Sequence, residues 1–252
     1  MGDYINLEKT GPNANDINVH LGYIKGLKGN PVWQIALMPY LGLESVTQEV
    51  ANSIAQSMLR INQQGITVWL RFAHEMNGDW YKWGMQPELF LEKWKMVWEA
   101  IKSVTSSTYM LWAPNSLFGG LNDVKGGYTQ YWPGAQYVDM LGLSFYHYGD
   151  LYSTPNNLPI VLSETGASYT VSLQTNEPAP GGASEHDMKF GWLQQLLANN
   201  LRTDVPNFKA FSWFEIKKNE NASGGSAIKS EDFRLLMGNQ DLSKSAVTYL
   251  SS

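Results

Sequence analysis

Residues 71–84 read Arg-Phe-Ala-His-Glu-Met-Asn-Gly-Asp-Trp-Tyr-Lys-Trp-Gly. The apolar, β-branched run Ile66–Ala73 delivers a guanidinium, an imidazole, a carboxylate and an amide to its end. Three aromatic side chains follow around Gly78. The adjacent pair His74-Glu75 raises the question of a zinc-protease helix. That helix needs a second His three residues after the Glu, where this chain has Gly78, and the segment reads as a strand end. Zinc is therefore rejected and no other metal or cofactor is expected. A second carboxylate, Glu164, follows the apolar stretch Leu158–Ser163, where packing gives no reason for a charge. A third, Glu215, lies inside Phe-Ser-Trp-Phe-Glu-Ile and reads as structural.

Two carboxyl groups at the ends of buried strands suit cleavage of a glycosidic bond, in which one holds a proton and the other stays ionised. Trp80, Tyr81 and Trp83 crowd Glu75, and desolvation by such neighbours favours the protonated acid. Either carboxylate alone is explained as well by a neighbouring Arg or Lys. The pair is harder to explain that way in a chain with 13% aromatic residues and 10 Trp, because flat, partly polar rings suit the faces of sugars. If the reaction retains the anomeric configuration, the two carboxyl groups belong about 5–5.5 Å apart, and beyond about 6.5 Å the assignment fails.

Apolar strands alternate with amphipathic helices. Strands are expected at Val32–Tyr40, Ile66–Ala73, Tyr109–Ala113, Tyr137–Tyr146, Leu158–Ser163 and Phe208–Ile216. Helices are expected at Thr47–Gln64, Glu88–Ser103, Glu185–Asn200 and Phe233–Tyr249. This alternation implies an α/β fold with a parallel sheet. No Gly-rich phosphate turn follows an early strand. The polar and aromatic clusters (His74-Glu75, Asn115, Tyr146, Glu164, Trp213) fall just past strand ends, as in a (β/α)8 TIM barrel, where such ends share one face. Tyr4–Leu7 supplies one more strand and His20–Leu27 a helix, which leaves the barrel one strand short. The first strand is therefore expected to be missing or irregular, the N-terminus truncated, and residues 1–252 a single catalytic domain.

Composition narrows the partners. The net charge is −5 and the Lys and Arg residues are scattered, which argues against nucleic acid. There is no Cys, so disulfides and thiolate chemistry are excluded. No apolar run reaches membrane-spanning length, and Met1-Gly2-Asp3-Tyr4 does not open a signal peptide. A monomer is expected.

The segment His-Glu-Met-Asn-Gly-Asp-Trp-Tyr-Lys-Trp-Gly (74–84) resembles the signature of glycoside hydrolase family 26, the family of many β-mannanases. Pro-Ile-Val-Leu-Ser-Glu-Thr-Gly (159–166) resembles its nucleophile strand, and Gly-Leu-Ser-Phe-Tyr (142–146) the strand before it. The resemblance spans roughly residues 32–216 in the right order. It implies Glu75 as general acid/base and Glu164 as nucleophile, with Tyr146 hydrogen-bonded to the nucleophile. It also implies Arg71 and His74 beside the sugar, Trp80 and Trp83 as an aromatic platform, and Trp213 as the floor of the cleavage subsite. The expected activity is a retaining, endo-β-1,4-mannanase-like hydrolysis of a β-linked polysaccharide outside the cell. A β-glucanase, a β-xylanase, a transglycosylase and a catalytically silent carbohydrate-binding protein are the alternatives.

Overall fold

The structure is a computed structural model; it describes residues 2–116, 127–145, 159–178, 183–221 and 227–252. The chain forms two compact units. The first comprises Met1–Ser144 and Thr154–Val161, the second Phe145–Ser153 and Leu162–Ser252.

The first unit opens with β1 (Gly2–Glu8), whose alternation buries Ile5 and Leu7. The short β2 (Gly11–Pro12) folds back antiparallel onto it, pairing Leu7 with Pro12. Gly11 has φ +144°, and a Cβ there would lie 2.1 Å from Ser53 Oγ, so only glycine fits this close approach. Helix α1 (Ala14–Lys25) starts where the Asn13 side chain accepts from the Asp16 N–H. It begins six residues before the helix expected at His20, because its first turns are mostly polar and exposed.

Next come β3 (Val32–Met38), α2 (Gln48–Asn62), β4 (Thr67–Phe72), α3 (Pro87–Lys102), β5 (Thr108–Trp112) and β6 (Met140–Phe145). Thr47 caps α2, and Pro87 occupies the first turn of α3, where its missing N–H costs nothing. The strand order is β2-β1-β3-β4-β5-β6. β1, β3, β4, β5 and β6 are parallel, with Tyr4 opposite Ala36, Leu37 opposite Phe72, Leu70 opposite Met110 and Leu111 opposite Met140. The N-terminal strand expected at Tyr4–Leu7 is thus a regular parallel member, and no parallel strand flanks it on its outer side among the described residues. The core joins Trp33, Ile35 and Leu37 of β3 and Leu70 and Phe72 of β4 to Ile54 and Met58 of α2 and Phe90, Trp94 and Ile101 of α3. At the opposite end from the candidate site, Asn62 ties the layers together. Its amide donates to the Ile66 and Ser107 carbonyls, and its Oδ1 accepts from the Thr105 and Thr108 hydroxyls.

β7 (Ile160–Thr165) begins in the first unit and ends in the second. The second unit continues with β8 (Tyr169–Ser172), α4 (Glu185–Leu196), α5 (Asn199–Asp204), β9 (Phe208–Trp213), β10 (Lys217–Asn221), β11 (Ile228–Asp232) and α6 (Gln240–Ser251). β7 and β9 are neighbours, with the Phe214 N–H donating to the Thr165 carbonyl at 2.7 Å. β10, β11 and β8 form a separate antiparallel sheet. The helix expected over 233–249 is instead a turn followed by α6, which Asn239 caps by accepting from the Asp241 and Leu242 N–H groups. The helix expected over 185–200 ends at Leu196. Among the described residues, no helix is long and apolar enough to cross a membrane.

Candidate active site

In the first unit, β4 carries the site. Arg71 and Phe72 end the strand, and the chain then turns sharply: Ala73 has φ +46° and Glu75 has φ +55°. Left-handed backbone at two non-glycine residues is costly, of the order of 1 kcal/mol each. The turn is pinned by hydrogen bonds from Ala73 N–H to the Leu37 carbonyl and from Glu75 N–H to the Ala113 carbonyl, that is, to both neighbouring strands. In this conformation Glu75 is only 6% exposed. The Trp80 indole N–H donates to Glu75 Oε2 at 2.8 Å, and an Arg71 guanidinium nitrogen lies 3.9 Å from Oε1. Gly78 makes the first contact possible, since a Cβ there would stand 2.3 Å from the Trp80 ring.

Arg71 is itself buried and donates to the Ser144 hydroxyl on β6. A second bracket locks the loops after β4 and β5 together. The Asn77 amide donates to the Asn115 carbonyl at 2.9 Å, and its Oδ1 accepts from the Asn115 N–H at 2.8 Å.

His74 points the other way, into an aromatic box. Tyr4, Tyr81 and Trp83 meet it edge to face at 5.7, 5.1 and 5.7 Å. Tyr81 stacks flat on Trp83 at 4.2 Å, and the Trp83 N–H donates to the His74 carbonyl at 2.8 Å. Burial, and then the charge of Arg71, hold the imidazole well below its usual pKa of 6.5, so it is neutral. Neither ring nitrogen has a hydrogen-bond partner among the described residues.

The structure thus brings Arg71, His74, Glu75, Trp80 and Trp83 together, as expected from the motif. It distinguishes the two tryptophans: Trp80 is 47% exposed, whereas Trp83 is buried and serves as a wall. Sequence reasoning missed Tyr4, Ser144 and the Asn77 bracket. Tyr4 and Ser144 reach the site from other strands and leave no local signal. Asn77 was inside the motif, but its partner is the backbone 38 residues away.

In the second unit, Glu164 is the penultimate residue of β7 and is 8% exposed. Thr165 accepts the Trp192 indole N–H at 2.9 Å, and the Trp213 indole N–H donates to the Phe233 carbonyl at 2.7 Å. Glu215, the rival carboxylate, accepts three backbone N–H groups, from Leu235, Leu236 and Met237, at 2.6–2.9 Å. It organises that turn and has a structural role. Tyr146 lies outside the described residues. Among the described residues, no cluster of His, Cys, Asp and Glu could hold a metal ion.

A helix-flanked parallel sheet that presents a carboxylate, a guanidinium and an exposed indole at the carboxyl end of one strand places them where α/β-barrel enzymes carry their active sites. The chain belongs to glycosyl hydrolase family 26, whose model matches residues 43–222. It is 28% identical over 146 residues to the mannan endo-1,4-beta-mannosidase of Bacillus subtilis (strain 168), covering 50% of this chain and 39% of that protein. Endoglucanase H of Acetivibrio thermocellus is 24% identical over 167 residues, 61% of this chain and 18% of that protein. The chain therefore spans well under half the length of these relatives. Among solved structures, a modular endo-beta-1,4-mannanase from Cellulomonas fimi superimposes with a TM-score of 0.56 at 17% identity, covering 94% of this chain and 58% of that one. The fold is of the (β/α)8 class with an irregular strand complement.

Proposed function

We propose that this chain is a retaining β-glycoside hydrolase that cuts β-1,4-mannan internally, with residues 1–252 acting as one catalytic domain. The observation that carries the reading is Glu75: a buried carboxylate on a strained strand end, gripped by an indole N–H and placed inside the family-matched stretch. Glu164 attacks the anomeric carbon while Glu75 protonates the departing oxygen. The resulting glycosyl-enzyme ester is then cleaved by water, whose proton Glu75 removes, and the configuration is retained. Trp80 and Trp213 act as sugar platforms, and Tyr146 hydrogen-bonds the nucleophile. Arg71, His74 and Trp83 hold the acid in place, His74 from inside its aromatic box rather than in contact with the sugar. A polymer substrate places the work outside the cell, with the chain acting as a monomer and without nucleic acid.

The test is reducing-sugar release from mannan, β-glucan and xylan by the wild type and by folded Glu75→Ala and Glu164→Ala variants, with the product anomer followed by NMR. Glucan belongs in the panel because one relative is named as an endoglucanase. The expected result is mannan cleavage with retention and losses of about 10²–10⁴-fold in both variants. Wild-type rates in Glu164→Ala, or an inverted product, would overturn it.

A further inference from the structure

We propose that Tyr4 is a positioning residue for the acid/base: its ring closes the box around His74 from β1 and so holds the next residue, Glu75, in place on the strained strand end. Tyr4 meets His74 edge to face at 5.7 Å. The family model matches residues 43–222, so Tyr4 stands outside the stretch that defines the family. The inference rests on the proposed function, because it gives that site's acid a support. The contact of Tyr4 is with His74, not with a sugar.

The imidazole needs such a wall. His74 is fully buried, and neither ring nitrogen has a hydrogen-bond partner among the described residues. Packing alone must therefore set the angle of the ring. The Trp83 N–H fixes the His74 carbonyl, not its side chain. Tyr81 and Trp83, the other two walls, belong to the loop that carries His74 and stack on each other at 4.2 Å. Tyr4 comes from a separate strand, so it ties that loop to the sheet. Around the ring stand the titratable groups of Tyr4 and Tyr81 and, on its own segment, the charge of Arg71 and the acid Glu75. The residues on either side of His74 are left-handed, at φ +46° and +55°. Backbone of that kind persists only where its surroundings over-determine it.

The fold aims Tyr4 at the box. Tyr4 lies opposite Ala36 of β3, and Ala36 lies opposite Arg71 of β4. In register, the three share one face of the sheet, and the small Ala36 leaves room for the tyrosine ring to reach across β3 towards β4. The other face of β1 is anchored. Asp3 Oδ2 accepts the Trp33 indole N–H at 2.7 Å, its Oδ1 lies 2.9 Å from His20 Nδ1, and Ile5 is fully buried. Alternation along the strand puts these anchors behind Tyr4 and its ring in front.

The experiment compares Tyr4→Ala, Tyr4→Phe and, on the opposite face of the same strand, Ile5→Ala. Mannan cleavage is followed across pH, and the His74 ring is titrated by NMR with its signal assigned from His74→Gln. Tyr4→Ala should lower kcat by about 10–100-fold with KM unchanged, and shift the basic limb of the pH profile, which reports the protonated acid. Burial, and then the charge of Arg71, keep the imidazole well below 6.5, so water admitted by Tyr4→Ala should bring its titration up towards that value. Tyr4→Phe should match the wild type in both readouts. Ile5→Ala should lose stability and keep both. Tyr4→Leu, which fills part of the space, replaces Tyr4→Ala if that variant does not fold, with a smaller loss of the same kind expected. Wild-type kcat in the Tyr4 variant, or an equal loss in Ile5→Ala, overturns the proposal. If the wild type cleaves no glycan, the proposed function fails by itself. The His74 titration then decides alone: a rise in Tyr4→Ala keeps Tyr4 as the closing wall, and no change overturns it.

Discussion

The indole of Trp80 does two separable things at the residue scale. Its N–H reaches Glu75 Oε2 at 2.8 Å, while its ring stays half exposed to solvent. Trp80→Phe keeps a ring and removes the donor; Trp80→Ala removes both. The bond becomes one to a charged group as Glu75 gives up its proton, where it is worth about 1.5–3 kcal/mol, so Trp80→Phe should lower kcat by roughly tenfold or more with little change in KM. Trp80→Ala should add a rise in KM. Steady-state kinetics on one oligosaccharide decide this, and a Trp80→Phe enzyme with wild-type kcat would show that the contact does not matter to the reaction. The motif around Trp80 was legible because its chemistry is local: Arg71, His74, Glu75 and both tryptophans lie within 13 residues. What could not be read was orientation. Nothing in the sequence says that Trp83 turns inward beneath Tyr81 while Trp80 leans over the carboxylate.

At the scale of elements, the parallel strands and α2 and α3 could be read because each has one dominant pattern: continuous apolar residues or a three-and-four spacing. The antiparallel sheet β8-β10-β11 could not. Lys-Lys-Asn-Glu-Asn and Ile-Lys-Ser-Glu-Asp carry no alternation of apolar and polar residues. A ladder of charges accompanies their pairing, with Lys218 and Lys229 each bridging Glu220 and Glu231 at 2.7–3.7 Å. A buried ionic tie in the second unit was equally hidden. Lys189 on α4 is fully buried, and its ammonium meets Glu185 at 2.6 Å, Asp232 at 3.4 Å and the Arg234 carbonyl at 2.9 Å. All three of its donors are used, and α4 is tied to the end of β11. Lys189→Ala leaves Glu185 without its cation, while Asp232 keeps Arg234, and should cost about 1.5–3 kcal/mol, read by denaturant unfolding. A loss below about 1 kcal/mol would mean that water replaces the ammonium easily.

For the whole molecule, acid should act on the two units in different pH windows. His74, in the first unit, is neutral when folded and has an ordinary value of 6.5 when unfolded. The unfolded chain therefore gains a proton that the folded chain refuses, and stability falls as pH drops below about 6.5. Asp232, in the second unit, would be raised by burial, but hydrogen bonds from Arg234 and the charges of Lys189 and Arg234 bring it from 3.8 to about 2. Its contribution is present above pH 3.8 and is lost as pH falls towards 2, worth at most about 2 kcal/mol and less after solvent screening. Segment-resolved hydrogen exchange should show the first unit loosening from pH 6.5 downward and the second only below about pH 4. Simultaneous loosening near pH 4 would remove His74 from the account.

Ala73 and Glu75, the two left-handed residues at the end of β4, bear on how such a chain can drift under selection. Stability alone would favour glycine at 73, where the backbone would relax and little is lost. At 75 the residues most at ease with that backbone are glycine, asparagine and aspartate. The first two abandon the carboxylate, and the third shortens it by a methylene. Thermal robustness and reach therefore pull in opposite directions at one position. Lineages screened only for heat tolerance would be expected to lose the carboxylate there before they lost their fold.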